Sequence, residues 1–303
     1  MRRICIWGHP LSRSVMTMAG PRVRVVTDTV SDVPDDIARD LGITLIPMVI
    51  RFGDEQVRDR VEMDIKTFLA RLAATKEPVR TSQPSPGEFI EAFRKAARGG
   101  ATVVSIQPSM KFSGAYQTAC IARDIVAQEG CRVEVVDTRN ASMAQGWAVI
   151  EAARAALAGL PVEDVVERVK DVSRKVKTFL TLDTLAYLQR NGRLGRVQAL
   201  LGALLQLKPI LTVRDGELGL ADAAVGASQV MSRLVLSIRR SISEGARVAL
   251  AVVHVSAREK AEQLRDELGR LYDVVESLIT ETGPAIAANV GPGGFGAMLY
   301  EVD

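Results

Sequence analysis

Hydroxyl side chains gather at two places ahead of helical segments. Thr81-Ser82-Gln83-Pro84-Ser85 sets three hydroxyls and an amide just before one helix, and Ser109, Ser113 and Gly114 stand at the start of another. A helix N-terminus offers unpaired N–H groups and partial positive charge, so hydroxyls there can hold a carboxylate or phosphate. Each segment alone also reads as an ordinary helix cap. Two of them in consecutive parts of one α/β half mark a candidate anion pocket. Arg80 beside Thr81 and Lys111 just before Ser113 read either as solvated surface charge or as partners of that anion.

Side-chain catalysis has little else to work with. There are two histidines: His9 lies in the opening segment, and His254 ends an apolar strand, where a hydrogen-bonded structural role is expected. No G-x-S-x-G elbow is present, and Cys5, Cys120 and Cys131 form no C-x-x-C pair. No His, Cys or carboxylate spacing suits a metal, so none is expected. Asp28, Asp32 and Asp137 either converge at the carboxyl edge of a parallel sheet or serve separately as caps and turn residues. The run Gly291-Pro292-Gly293-Gly294-Phe295-Gly296 lacks the GK[ST] ending and precedes a strand instead of a helix, so it reads as a structural turn.

The elements that would position these groups alternate. Strand Val23–Val26 is followed by Thr27-Asp28-Thr29 and by a helix start at Ser31-Asp32 ahead of Pro34. Leu45–Phe52 reads as a second strand, and Asp64–Ala74 has helical spacing. Ser85-Pro86-Gly87-Glu88 is a capping box opening a helix over 89–97. Strand Ala101–Ile106, a helix from Ser113-Gly114 to about Gln128, strand Val133–Val136 and a helix over 143–158 complete three strand–helix units. Such units imply a parallel sheet with helices on its faces. A charged helix, Val162–Val176, leads on. After it come strand Thr178–Leu182, helix Thr184–Gln189, an apolar stretch over 198–205, and a hairpin through Arg214-Asp215-Gly216. Helix Ser228–Ile242, strand Val248–Val255, helix Glu259–Leu271, strand Val274–Thr280, a short helix Pro284–Asn289 and strand Gly296–Val302 close the chain. A hairpin within an alternating pattern implies a mixed sheet. The expected fold is therefore α/β with two domains, a Rossmann-like parallel-sheet domain over 21–165 and a mixed-sheet domain over 166–303. Residues 1–20 are expected to be an unstructured extension or to follow from an early start codon.

Composition fits that frame. In 303 residues, 47% hydrophobic and 25% charged side chains exclude disorder for the bulk of the chain. A net charge of +3 does not suggest a nucleic-acid binder. No apolar run approaches the roughly 20 residues of a membrane span. Sparse, unpaired cysteines point to a reducing, cytoplasmic location.

Taken in order, VVTDTVSDVPDDIARDLGI, RTSQPSPGEF, SGAYQTA, VEVVDT, LDTLAYLQRNGRLG, LLQLKPILTVRDGEL and NVGPGGFG resemble the DegV family, bacterial fatty-acid-binding proteins, over about residues 23–303. The resemblance implies two α/β domains enclosing one long-chain fatty acid such as palmitate, stearate or oleate, with no cofactor. It implies that a separate ATP-dependent fatty acid kinase subunit converts the bound carboxylate to an acyl-phosphate for phospholipid synthesis. On this pattern Thr81 and Ser113 bind the carboxylate, with Ser82 and the Gly114 N–H beside them. Asn289 stands where the family often has His, and Gly226 where a K-V-R-like segment usually has Arg. Arg193 matches the family's Gly-Arg pair and reads as partner-facing, phosphate-steering or part of a structural ion pair. Two readings of other classes remain at this point: a serine acyl hydrolase using Ser113 with His254 as its base, and a binder of some other small anion.

Overall fold

The computed structural model describes residues 23–75, 77–200 and 207–302. Residues 1–20, with His9 and Cys5, and most of the apolar stretch over 198–205 lie outside the described residues. The first half runs β1 (Val23–Asp28), α1 (Asp35–Asp40), β2 (Thr44–Ile46), β3 (Val49–Phe52), β4 (Glu55–Arg58), α2 (Ile65–Ala74), β5 (Val79–Ser82), α3 (Pro86–Ala96), β6 (Thr102–Gln107), α4 (Ala115–Ala127), β7 (Val133–Asp137) and α5 (Met143–Leu157). The helix α6 (Val162–Lys175) leads into β8 (Lys177–Thr181), α7 (Ala186–Arg190), β9 (Leu207–Arg214), β10 (Glu217–Val225), α8 (Val230–Arg239), β11 (Arg247–His254), α9 (Arg258–Gly269), β12 (Asp273–Glu281), α10 (Pro284–Val290) and β13 (Phe295–Glu301).

The first sheet is parallel, in the order β2-β1-β6-β7, and the last is mixed, in the order β10-β9-β8-β13-β11-β12 with β11 and β12 parallel. The α/β class with a parallel and a mixed sheet is therefore as the sequence implied. Leu45–Phe52 is not one strand. Pro47 lacks an N–H for a ladder, and the segment divides into β2, in the parallel sheet, and β3, in a separate antiparallel sheet β4-β3-β5.

Ser31 and Asp32 do not cap α1 either: they end a short 3-10 turn, and Pro34 stands at the N-cap with no side-chain bond. Other local signals act as expected. Ser85 and Glu88 form the reciprocal capping box of α3. Asp215 and Gly216 both take positive φ, the type I′ geometry that joins β9 to β10. The helix α5 is apolar nearly all round, and such a helix must be buried. It lies between the sheets, where Val25, Ile106, Trp147, Val165, Ala251 and Tyr300 share one core. There Trp147 donates to the Met298 carbonyl at 3.1 Å. The helices α3 and α4 cover the other face of the parallel sheet, and α8 and α9 the outer face of the mixed one.

Candidate functional site

In the parallel sheet β1 connects outward to β2 while β6 connects the opposite way to β7, so the strand order reverses between β1 and β6. Ligands of open α/β sheets bind outside the carboxyl ends of strands at such a point. Here the turns after β1 and β6 face α10 and the mixed sheet across a cavity. It holds about 1040 Å³ of atom-free space, solvent at its opening included. Val30, Met48 and Phe112, from segments that follow the parallel strands, and Leu180, Val253 and Met298, from the mixed sheet, supply much of an apolar wall.

Thr81, Ser113, Asn289 and Arg193 all border this cavity. Thr81 is near the end of β5 and faces Ile50 in register. Its hydroxyl has no hydrogen-bond partner among the described residues. Ser113 precedes α4, and its Oγ accepts the Ala115 N–H at 3.2 Å, which leaves its O–H free to donate. Helix capping and ligand binding are thus compatible at this residue. Asn289, on α10, donates Nδ2 to the Ala285 carbonyl at 3.0 Å, and its buried Oδ1 has no partner. Ser82 lies one residue along β5 from Thr81, opposite Val49, and is not among the lining residues. Gly114 does not line the cavity either, but a Cβ there would stand 2.8 Å from the Gln83 amide, and Gln83 does.

Arg193 is the one permanent charge among the lining residues, and no carboxylate lines the cavity with it. Its guanidinium donates only to main-chain oxygens, of Phe112 (Nε, 3.4 Å) and of Asn191. Burial pulls its pKa down, with no anion to offset that. Neither an ion pair nor a free surface position describes it. Lys111 is committed to Glu217 at 2.9 Å. Gly226 adopts φ +79°, ψ +167°, with open space around its Cβ position.

His254 departs from the expected hydrogen-bonded role. It is buried at the end of β11, yet neither ring nitrogen has a hydrogen-bond partner, and Nδ1 is 3.9 Å from Glu281. Like its neighbours Val253 and Val255 it borders the cavity. Desolvation lowers its pKa, and no bond to Ser113 forms.

A polar network holds the site together. Asp32 accepts from Ser142 Oγ at 2.5 Å and from the Gly283 N–H at 2.9 Å. Asp59 accepts from Thr29 Oγ1 at 2.5 Å and from the Ala285 N–H at 3.4 Å. These bonds tie the turn after β1 to the start of α10. Asp28 caps that turn through Val30, while Asp137 caps a separate one through Arg139. Of the three aspartates singled out in the sequence, Asp28 and Asp32 are neighbours of Asp59, and Asp137 is not. Asp59 carried no motif that could have marked it. Gln83 belongs to the RTSQPSPGEF segment, whereas the apolar wall carries no signature beyond ordinary core spacing. Among the described residues no group of three or more His, Cys, Asp or Glu could hold a metal ion.

The molecule is thus an α/β protein whose parallel and mixed sheets meet at an apolar cavity bordered by hydroxyls and one cation without an ion-pair partner among the described residues. The chain belongs to the DegV family, which matches residues 22–302. A DegV domain-containing protein of Caldanaerobacter subterraneus is 31% identical over 280 residues, covering 92% of this chain and 99% of that one. A fatty-acid-binding DegV family protein of Thermus thermophilus superposes with a TM-score of 0.86 at 32% identity, covering 93% of this chain and all of that one. The fatty-acid-binding DegV of Bacillus subtilis superposes at 0.82 with 28% identity, covering 92% and 99%.

Proposed function

We propose that this protein binds one long-chain fatty acid in the cavity, its carboxylate at Thr81, Ser113 and Arg193 and its tail along the apolar wall. It then presents the carboxylate to a separate ATP-dependent kinase for acyl-phosphate formation in the cytoplasm. The observation that carries this reading is Arg193, a half-buried cation without a counter-ion, beside two hydroxyls at an otherwise apolar cavity. A carboxylate leaving water needs charge-assisted hydrogen bonds in exchange, and these groups supply them. Burying about 14 methylenes at about 0.8 kcal/mol each contributes roughly 11 kcal/mol before association costs, so the tail dominates affinity. The polar groups fix the reacting end. Thr81, Ser113 and Arg193 are only part-buried, which supports delivery of the carboxylate to a second protein. The fatty-acid-binding relatives support the ligand class.

A hydrolase using Ser113 gains no support, because His254, its only available base, borders the same cavity but makes no hydrogen bond to Ser113. The kinase reading is tested by supplying a fatty acid kinase catalytic subunit, ATP and stearate, and trapping acyl-phosphate with hydroxylamine. Wild-type protein supports hydroxamate formation and Ser113→Ala lowers it severalfold. No product with wild type, or equal product with both, contradicts the assignment.

A further inference from the structure

The groups bordering the part-buried end of the cavity are accounted for by a carboxylate, but Thr178 is not. Along β8, Thr178 and Leu180 line the cavity while Phe179 between them packs into the core under α8 and α9. Thr178 faces Met298 in register on β13, and Val213 stands beside it on β9, next in the register that pairs Phe179 with Thr212. Met298 and Val213 also line the cavity. Thr178 is 4% exposed, and its Oγ1 has no hydrogen-bond partner among the described residues. It lies three residues before Thr181, which pairs with Phe295 at the start of β13. At the rise of a strand that is about 10 Å along β8 from Thr181. Buried hydroxyls in folded proteins nearly always find a partner. Valine would fill the same space on this wall without a polar atom to satisfy.

We infer that Thr178 is a hydrogen-bonding subsite within the cavity, and that the ligand completing it is an acyl chain with an oxygen inside the chain, a hydroxy or oxo fatty acid. This rests on the acyl-binding reading above. A hydroxyl both donates and accepts, so Thr178 pairs equally with an in-chain alcohol or ketone. A saturated chain fits the same wall and leaves Thr178 unpaired. The subsite therefore discriminates by what the chain carries at that depth, independently of the carboxylate anchors.

The test titrates delipidated wild-type, Thr178→Val and Thr178→Ser proteins with stearate and with a positional series of hydroxystearates. For one isomer or a narrow range of isomers, Thr178→Val lowers affinity roughly threefold to tenfold, the worth of one hydrogen bond. Its stearate affinity is unchanged or higher, and Thr178→Ser retains the hydroxystearate affinity. Stearate binding with the same hydroxystearate-to-stearate ratio in wild type and Thr178→Val, for every isomer, overturns this inference alone. Failure of wild type to bind stearate or any hydroxystearate overturns the acyl-binding reading and this inference with it.

Discussion

Arg193 holds a guanidinium partly out of bulk water without a carboxylate to face it. The account makes a bound carboxylate its counter-ion. Arg193→Met keeps the length of the apolar stem and removes the charge. Loss of a charge-assisted hydrogen bond at a part-buried site lowers stearate affinity by roughly tenfold or more. Stearyl alcohol, which carries no charge, binds both proteins alike in a competition assay; an equal loss for acid and alcohol contradicts the pairing. A second set of charges sits behind the site. Burial pushes Asp28 and Asp32 up to about 7 and Asp59 up to about 6 from an ordinary value of 3.8. A carboxyl raised on folding favours the folded state most below its unfolded value, and that contribution is lost as pH rises through the folded value. These three groups therefore weaken the fold between about pH 4 and 7. Asp28→Asn keeps an oxygen to accept from Val30 N–H and Gln145 Nε2 and removes the charge. Thermal melts should show the variant more stable than wild type at pH 8, with a shallower fall in Tm across that range. A variant less stable at pH 8 counts against this account of Asp28.

At the scale of elements, α10 matters most because it carries Asn289 and also lines the cavity through Ala285 and Ile286. Asp32 and Asp59 hold its first turn, and the glycine-rich turn that follows releases the chain into β13. Gly291 has φ +75°, and a Cβ there would lie 2.3 Å from the Tyr187 ring. Gly291→Ala should lower the denaturant midpoint by the equivalent of roughly 1–3 kcal/mol and weaken acyl binding along with it. An unchanged midpoint would show that the turn tolerates a side chain. This turn, the Ser85–Glu88 capping box and the Asp215-Gly216 hairpin were legible in the sequence because each rests on a few adjacent residues. The sheet β4-β3-β5 was not. Its strands are four residues each, β4 is largely exposed, and Pro47 parts β2 from β3 inside a run that looks continuous by composition. His254 was misread for a related cause. Its place at a strand end was legible, but whether its ring meets a partner is set by residues remote in the chain, and neither nitrogen has one.

At the scale of the molecule, the change from a strand–helix alternation to a hairpin-bearing pattern told of one parallel and one mixed sheet. The cavity between them carries no such trace. Val30, Met48, Leu180 and Met298 are spaced like any core residues, and only the meeting of the two sheets leaves room between them. That Arg193 meets the turn before α4 leaves no local trace either, since its hydrogen-bond partner Phe112 is 81 residues away in the chain. No helix among the described residues is long and apolar enough to cross a membrane. The central claim is that the two sheets close over one fatty acid. Mass spectrometry of the purified protein, first native and then denatured and solvent-extracted, tests it most directly. The account predicts a mass excess that disappears on denaturation, matched by about one extracted fatty acid per chain. A native mass equal to that of the polypeptide, unchanged after incubation with a mixture of long-chain fatty acids, would contradict it.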